Sequence, residues 1–220
     1  MAFVDVRRIT SGTDTQVDAT SRQNAIQKAI HKAAELPGTQ DAVVIGNQPG
    51  GIWPELTTYN NDTSGGENTG DNPFNEAQPP QFIWDDTTFE PGETRYFAVA
   101  LPVVFTDELL VNVTTFADNA HRLFVEEREP DGFLLRSFTP NDGLFDGPMT
   151  ANASLNVDKE NPFNWQKIRI WSKGDIIPDS DDNYLVFSWE VLNYDTTDTV
   201  NPPGLAFQID IYRNEPDNGP

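Results

Sequence analysis

The sequence predicts a mainly β protein, an eight-stranded antiparallel jelly-roll sandwich with one N-terminal helix and an extended arm. Three observations carry this. From Gln81 onward the 220-residue chain breaks into short runs rich in Val, Ile, Phe, Tyr and Trp, the residues that suit a pleated, half-buried surface. Turn clusters separate the runs, among them Glu129-Pro130-Asp131-Gly132, Pro140-Asn141-Asp142-Gly143 and Asn201-Pro202-Pro203-Gly204. Between the runs no apolar period of 3.6 appears, so no crossover helices are available for a parallel sheet.

Taken in order, the chain opens with a short apolar alternation around Phe3, Val4 and Val6 and then turns polar as far as Thr20. Thr20 followed by Gln23 has capping-box spacing, and SRQNAIQKAIHKAAEL is built of good helix formers. This predicts a helix of about sixteen residues, stopped by Leu36-Pro37-Gly38. Its stripe of Ala25, Ile26, Ala29, Ile30 and Ala33 is narrow and alanine-rich, which suits close approach to another surface, and assembly contacts are expected there. DAVVIG reads as a short buried strand. The stretch from Asn47 to Pro80 is crowded with Gly, Pro, Asn, Asp and Thr and reads as an arm or linker. The expected organisation is therefore a helical anchoring segment over 1–46, an arm over 47–80, the sandwich over 81–214 and a tail over 215–220.

The eight strand candidates are QFIWDD, TRYFAVALPVV, ELLVNVTTFA, HRLFVEER, GFLLRSF, NWQKIRIW, NYLVFSWEVLNY and GLAFQIDIYR. Leu185, Phe187, Trp189 and Val191 alternate with Val186, Ser188 and Glu190, which predicts a strand with one face inward. Five blocks within 81–213 stand out: Arg95-Tyr96-Phe97, Phe116-Ala117-Asp118-Asn119-Ala120, Trp165-Gln166-Lys167-Ile168, Asn183-Tyr184-Leu185-Val186-Phe187 and Gly204-Leu205-Ala206-Phe207-Gln208-Ile209. In this order they resemble the galactose-binding-like β-sandwich domains of bacterial, archaeal and viral surface proteins. Where that family commonly places an Asn-Gly hairpin in a YLNG-like strand, this chain reads Leu123-Phe124-Val125-Glu126-Glu127 and turns later, at Asp131-Gly132. The resemblance implies a fold more firmly than a ligand.

Composition narrows the function classes. The formal net charge is −21, with 22 Asp and 13 Glu against 9 Arg and 5 Lys. A surface of that sign repels phosphate backbones and anionic lipid, so no nucleic-acid partner is expected. Short, well-hydrated carboxylates with little lysine resemble proteins of salt-loving organisms and their viruses; a mesophile's acidic extracellular or virion protein is the alternative. The absence of cysteine excludes disulfides, thiolate metal sites and cysteine nucleophiles. No run of eighteen apolar residues occurs and MAFVDVRRIT lacks a signal-peptide core, so neither membrane insertion nor Sec export is expected.

Catalytic patterns are thin. The two histidines, His31 and His121, stand without a nucleophile elbow, and no phosphate loop or dinucleotide fingerprint occurs. Paired carboxylates such as Asp85-Asp86 and Asp181-Asp182 are the expected coincidence among 35 acids. Asp179 and Asp181, in an Asx-rich stretch at a strand entrance, are the candidate Ca²⁺ ligands; Tyr184 stands where an EF-hand needs glycine, so the loop is not one. Trp165 and Trp171 fall on one face of their strand, as core residues or as an aromatic platform for a surface glycan. No other cofactor is expected.

The class these features imply is a non-enzymatic structural or interaction protein: a virion surface component such as a capsid decoration, spike, turret or tail-fibre subunit, with a halophilic host. It is expected to form a homo-oligomer and to contact other virion proteins. The alternative is a carbohydrate-binding module of a cell-surface protein or glycosidase, with an extracellular location.

The charge count has a measurable sign. Screening between exposed charges shortens from about 10 Å at 0.1 M salt to about 3 Å at 1 M. With 14 bases against 35 acids, net repulsion dominates. The melting temperature should rise with NaCl and equally with KCl; a flat or falling trend would remove the halophile expectation.

Overall fold

Two six-stranded antiparallel sheets face each other in the computed structural model, which describes residues 2–46, 51, 53–54, 56, 78–104, 107–150, 167–195 and 202–215. In chain order the elements are β1 (Ala2–Thr10), β2 (Gln16–Asp18), α1 (Arg22–Ala33), β3 (Val43–Val44), β4 (Ile83–Trp84), β5 (Thr94–Pro102), β6 (Leu109–Asp118), β7 (Ala120–Arg128), β8 (Leu134–Ser137), β9 (Leu144–Asp146), β10 (Arg169–Ile176), β11 (Tyr184–Leu192) and β12 (Gly204–Glu215).

The first sheet runs β1, β12, β6, β10 and the second β5, β11, β7, with β8 and β9 sharing the edge of β7. Along the chain, β1, β5, β6 and β7 alternate between sheets, β8 and β9 stay with β7, and β10, β11 and β12 alternate again. That is the order of a jelly roll. All eight strand candidates contain a strand, and NWQKIRIW starts later than expected, at Arg169.

The domain expectation is corrected at its first boundary. The roll's opening strand is β1, not the QFIWDD run, which supplies only the two residues of β4. β12 is twelve residues long; β6 covers one of its edges from Gly204 to Arg213, and its other edge needs a partner of similar length. β1 provides it, from Ala2 opposite Glu215 to Thr10 opposite Gln208. β4 continues the same edge at Leu205, and β2 pairs with β5. Residues 1–46 are thus woven into both sheets. DAVVIG is a two-residue strand on β4, with Val44 exposed. Most of 47–80, like the 216–220 tail, lies outside the described residues. Within it, Trp53 and Leu56 are buried in the main core, so the stretch does not all lie outside the sandwich. The Trp53 indole donates to Asp118 (2.8 Å) and occupies the space over Gly204, where a Cβ would meet its ring at 2.7 Å.

The core fills the space between the sheets. Leu185, Phe187, Trp189 and Val191 of β11 point into it as the alternation predicts, and Trp189 stacks on Phe207 of β12 with centroids 4.1 Å apart. The other face of β11 is not open, however. Val186 and Ser188 are fully buried because α1 lies across the outer surface of the second sheet.

The helix also corrects the sequence reading. Its cap is Ser21, whose Oγ accepts from the Asn24 N–H (3.1 Å), while Thr20 is held back by Asp18. It ends at Ala33, four residues after Ala29, where Glu35 adopts φ 56 and closes the turn. The stripe assigned to assembly packs on this chain's own sheet. Ala25, Ile26, Ala29 and Ile30 are buried against Ala98 and Val186, and Ala33 is half-buried. Small residues on both sides permit the close approach, and each buried isoleucine contributes about 2 kcal/mol.

Charge fastens the helix at two points. Lys28 meets Asp18 at 2.8 Å. Burial would raise the Asp18 pKa, but donors from Lys28, Thr20 and Ser21 outweigh it and hold the carboxyl well below the usual range. At the other point Glu126 lies between Arg22 and Arg128, each at 2.8 Å, and Arg22 sits over the Phe124 ring at 3.9 Å. A buried triad of this kind is strongly destabilised when one member is removed. Replacing Ile26 by Ala should cost about 2 to 5 kcal/mol of the subunit's own stability, by opening a cavity in the contact between helix and sheet. Chemical denaturation of the monomer reads this; an unchanged midpoint would contradict the packing.

Candidate functional site

The two sheets end together on the side formed by β8, β9 and β10. Two arginines stitch this margin. Arg169 of β10 reaches Asp146 of β9 at 2.6 Å, and Arg136 of β8 reaches the Ile177 carbonyl just beyond β10. Around them the surface is apolar: Phe133, Leu134 and Leu135 on or beside β8, Phe145 on β9, Ile170 on β10 and Ile177 after it are all exposed, Phe133 and Ile170 at 64%. On a chain carrying 35 acids, six large apolar side chains are exposed along these three strands and the turns beside them, and apolar surface gathered at an edge is a feature of interfaces. Among the described residues, the strands beneath them are also edge strands.

The sequence held a signal for part of this margin. Phe133-Leu134-Leu135 puts three large apolar residues in a row, and a strand cannot turn neighbours to the same face. Arg136 and Glu127 carried no such signal. Glu127 is fully buried and organises the turn at 177–183: it accepts from the Asp179 N–H and the Asn183 amide, both at 2.7 Å, and from Arg136 at 2.7 Å. Burial alone would raise its pKa; these three donors outweigh it and keep the carboxyl below its ordinary value.

That arrangement bears on the Ca²⁺ expectation. Asp179 receives Arg136 at 3.0 Å, and Asp181 and Asp182 are exposed. The turn is thus held from beneath by Glu127 and Arg136. Among the described residues no three His, Asp or Glu side chains gather as a metal-ligand set. Trp171 is half-buried against the main core, and Trp165 lies outside the described residues. Asp85 and Glu93 are both paired with Arg95.

A hollow of about 470 Å³ opens between β1, β5 and α1 on the opposite side. The cations at it are largely matched, Arg8 by Asp210 (2.6 Å) and Lys32 by Asp41 (2.9 Å).

Behind the apolar margin His121 is buried beside the Asp146–Arg169 pair. Burial, only partly offset by the Asp146 charge, pushes its pKa down to about 4, so the ring is neutral. His31, by contrast, meets the Pro37 carbonyl at 2.9 Å at the exposed end of the helix.

The chain matches no protein-family model and no curated protein. Among solved structures it is similar to the isomalto-dextranase of Arthrobacter globiformis T6 complexed with panose. The identity is 9% and the TM-score 0.28, over 60% of this chain and 18% of that one. The two-sheet sandwich stands on the strand pairing itself.

The neutral His121 sets a pH response. Its folded pKa lies below the unfolded 6.5, so the unfolded chain takes up a proton as pH falls from 6.5 to 4 while the folded chain does not. Stability is lost on acidification at up to about 1.4 kcal/mol per pH unit. The low-pKa carboxylates weaken the fold in the same direction, but only near and below the unfolded carboxylate range. His121→Gln should flatten the melting temperature between about pH 6.5 and 4.5; a slope equal to that of the wild type would place the response elsewhere.

Proposed function

We propose that this protein is a non-enzymatic structural subunit displayed on a virion surface, as a capsid decoration, spike, turret or tail-fibre component, in a virus of a halophilic host. Its partners in this reading are further copies of itself and other virion proteins. The observation that carries the proposal is the apolar β8–β10 margin on an otherwise strongly acidic subunit. Water and salt solvate the carboxylate surface well, whereas the margin gains free energy by being covered. Salt strengthens that preference by screening the subunits' mutual repulsion and by favouring apolar burial. A neighbour that docks on the margin leaves the helix-covered face of the second sheet turned outward. The five sequence blocks that resemble domains of microbial and viral surface proteins agree with a displayed sandwich.

The helix plays a different part from the one its composition implied. With its stripe committed to the subunit's own sheet, it thickens the second sheet and leaves the margin as the assembly contact in this reading.

Sedimentation at rising NaCl tests the proposal. The wild type should associate, and a variant with Leu135→Asp and Ile177→Asp should stay monomeric with its melting temperature nearly unchanged, because both side chains are already exposed. A wild type that remains monomeric at molar salt, or a double variant that assembles as well as the wild type, would overturn the role of the margin.

A further inference from the structure

Strand β1 carries a bulge. Its register on β12 shifts between Asp5 and Arg7, so Val6 is an extra residue in that stretch. Arg8 lies opposite Asp210 and pairs with it on one face of the sheet, while Ile9 packs on the core from the other. Alternation puts Arg7 on the same face as Ile9, and the bulge turns Val6 to that face as well. Val6 and Arg7 together line a small apolar hollow at the end of the sandwich, whose other walls include Leu101, Val103, Leu109 and Leu185. Arg7 and Leu101 also line the 470 Å³ hollow between β1, β5 and α1, so the two hollows meet at these residues.

A base without an acid is the exception in a chain with 14 bases among 35 acids. Of the other bases at the larger hollow, Arg8 is matched by Asp210, and Lys32 by Asp41 at 2.9 Å with Asp14 at 3.7 Å. Arg7 is exposed, and its guanidinium has no acid partner among the described residues. The apolar hollow beside it measures about 80 Å³; an apolar cavity of ~150 Å³ takes a benzene ring, so this one takes about three carbons. Leu101, Val103, Leu109 and Leu185 keep 3% to 8% of their surface exposed, which lets a hydrocarbon touch them.

One negative charge and a short aliphatic end satisfy both features. A planar carboxylate matches the guanidinium fork. A neutral molecule leaves the cation unmatched, and a polyanion meets the field of a chain with net charge −21 with a single free base to hold it.

We propose that the joined hollows between β1 and β5 bind a short-chain aliphatic carboxylate, with the carboxylate on Arg7 and the hydrocarbon end in the apolar hollow beside Leu101. Acetate, butyrate, pentanoate and the neutral pentanamide, each titrated into the full chain at one fixed NaCl concentration, test this through the leucine methyl resonances in NMR. Saturable shifts with pentanoate are expected at Leu101, Leu109 and Leu185, and not at Leu134 and Leu135 on the far margin. Affinity should rise by about fourfold for each methylene buried between acetate and pentanoate. Arg7→Gln should weaken pentanoate by about tenfold to a hundredfold, the loss of a charged hydrogen-bonded pair, and leave pentanamide unchanged. Its melting temperature should stay near that of the wild type, because the side chain it replaces is exposed.

No saturable shift with pentanoate, or equal pentanoate affinity in Arg7→Gln, would overturn the site. Acetate binding as tightly as pentanoate would mean an adventitious ion only, and would overturn it too. Comparing pentanoate with pentanamide reads the charge without any substitution, and equal affinities would have the same consequence. The titration is made on the subunit and does not involve the margin, so its failure leaves the virion-subunit reading to its own test.

Discussion

The pairing of the first strand with the last is the constraint on which the rest of the molecule depends. β12 is the longest strand, and its free edge has to be covered by hydrogen-bonding partners or left open to other chains. Because β1 covers it, residues 2–10 and 208–215 are fixed side by side, and the segments between them must wrap around the core and return. The roll order follows, with β6 and β10 on the far side of β12 and β5, β11 and β7 closing over the top. The seam beside β1 and β5 becomes a hollow where Arg8 and Lys32 are matched by Asp210 and Asp41, and the other seam becomes the margin of β8, β9 and β10.

The two faces of the second sheet show how that frame distributes polarity. Inward, aromatic and branched residues meet the first sheet. Outward, alanines on α1 and on β5 allow the helix to approach, and the Arg22–Glu126–Arg128 triad and Lys28–Asp18 pair fix where it lies. A buried ion network is weak evidence for stability, but its demand for geometry sets the helix in one position. The second sheet is thereby buried on both faces at its centre, and its exposed apolar residues are displaced to its edge. The assembly surface proposed for the margin follows from this displacement.

The strand runs from Gln81 onward, the turns between them and the inward face of β11 were legible because each rests on local chemistry: β-branched and aromatic residues, period-two alternation, and Gly, Pro, Asn and Asp at the turns. The helix was legible for the same reason, to within a cap and a turn. Of the margin, only the unalternating Phe133-Leu134-Leu135 left a trace. Arg136, Glu127, Arg169 and Asp146 left none, since their pairing depends on partners up to 56 positions away, as Glu127 and Asn183 are.

Residue types and their spacing set the inventory: a β-rich chain of antiparallel strands, one amphipathic helix, no cysteine chemistry and a large negative surface charge. Tertiary structure alone decided which surface each piece would meet. A strand-forming stretch such as 2–10 has no local preference between an arm and the opening strand of a roll; the unpaired edge of β12, some two hundred residues away, makes the choice. An alanine-rich stripe fits a neighbouring subunit or its own sheet equally well by composition. It packs on its own sheet because Ala98 and Val186 present a matching shallow surface there, and a contact within one chain carries none of the association entropy that a second subunit would have to overcome.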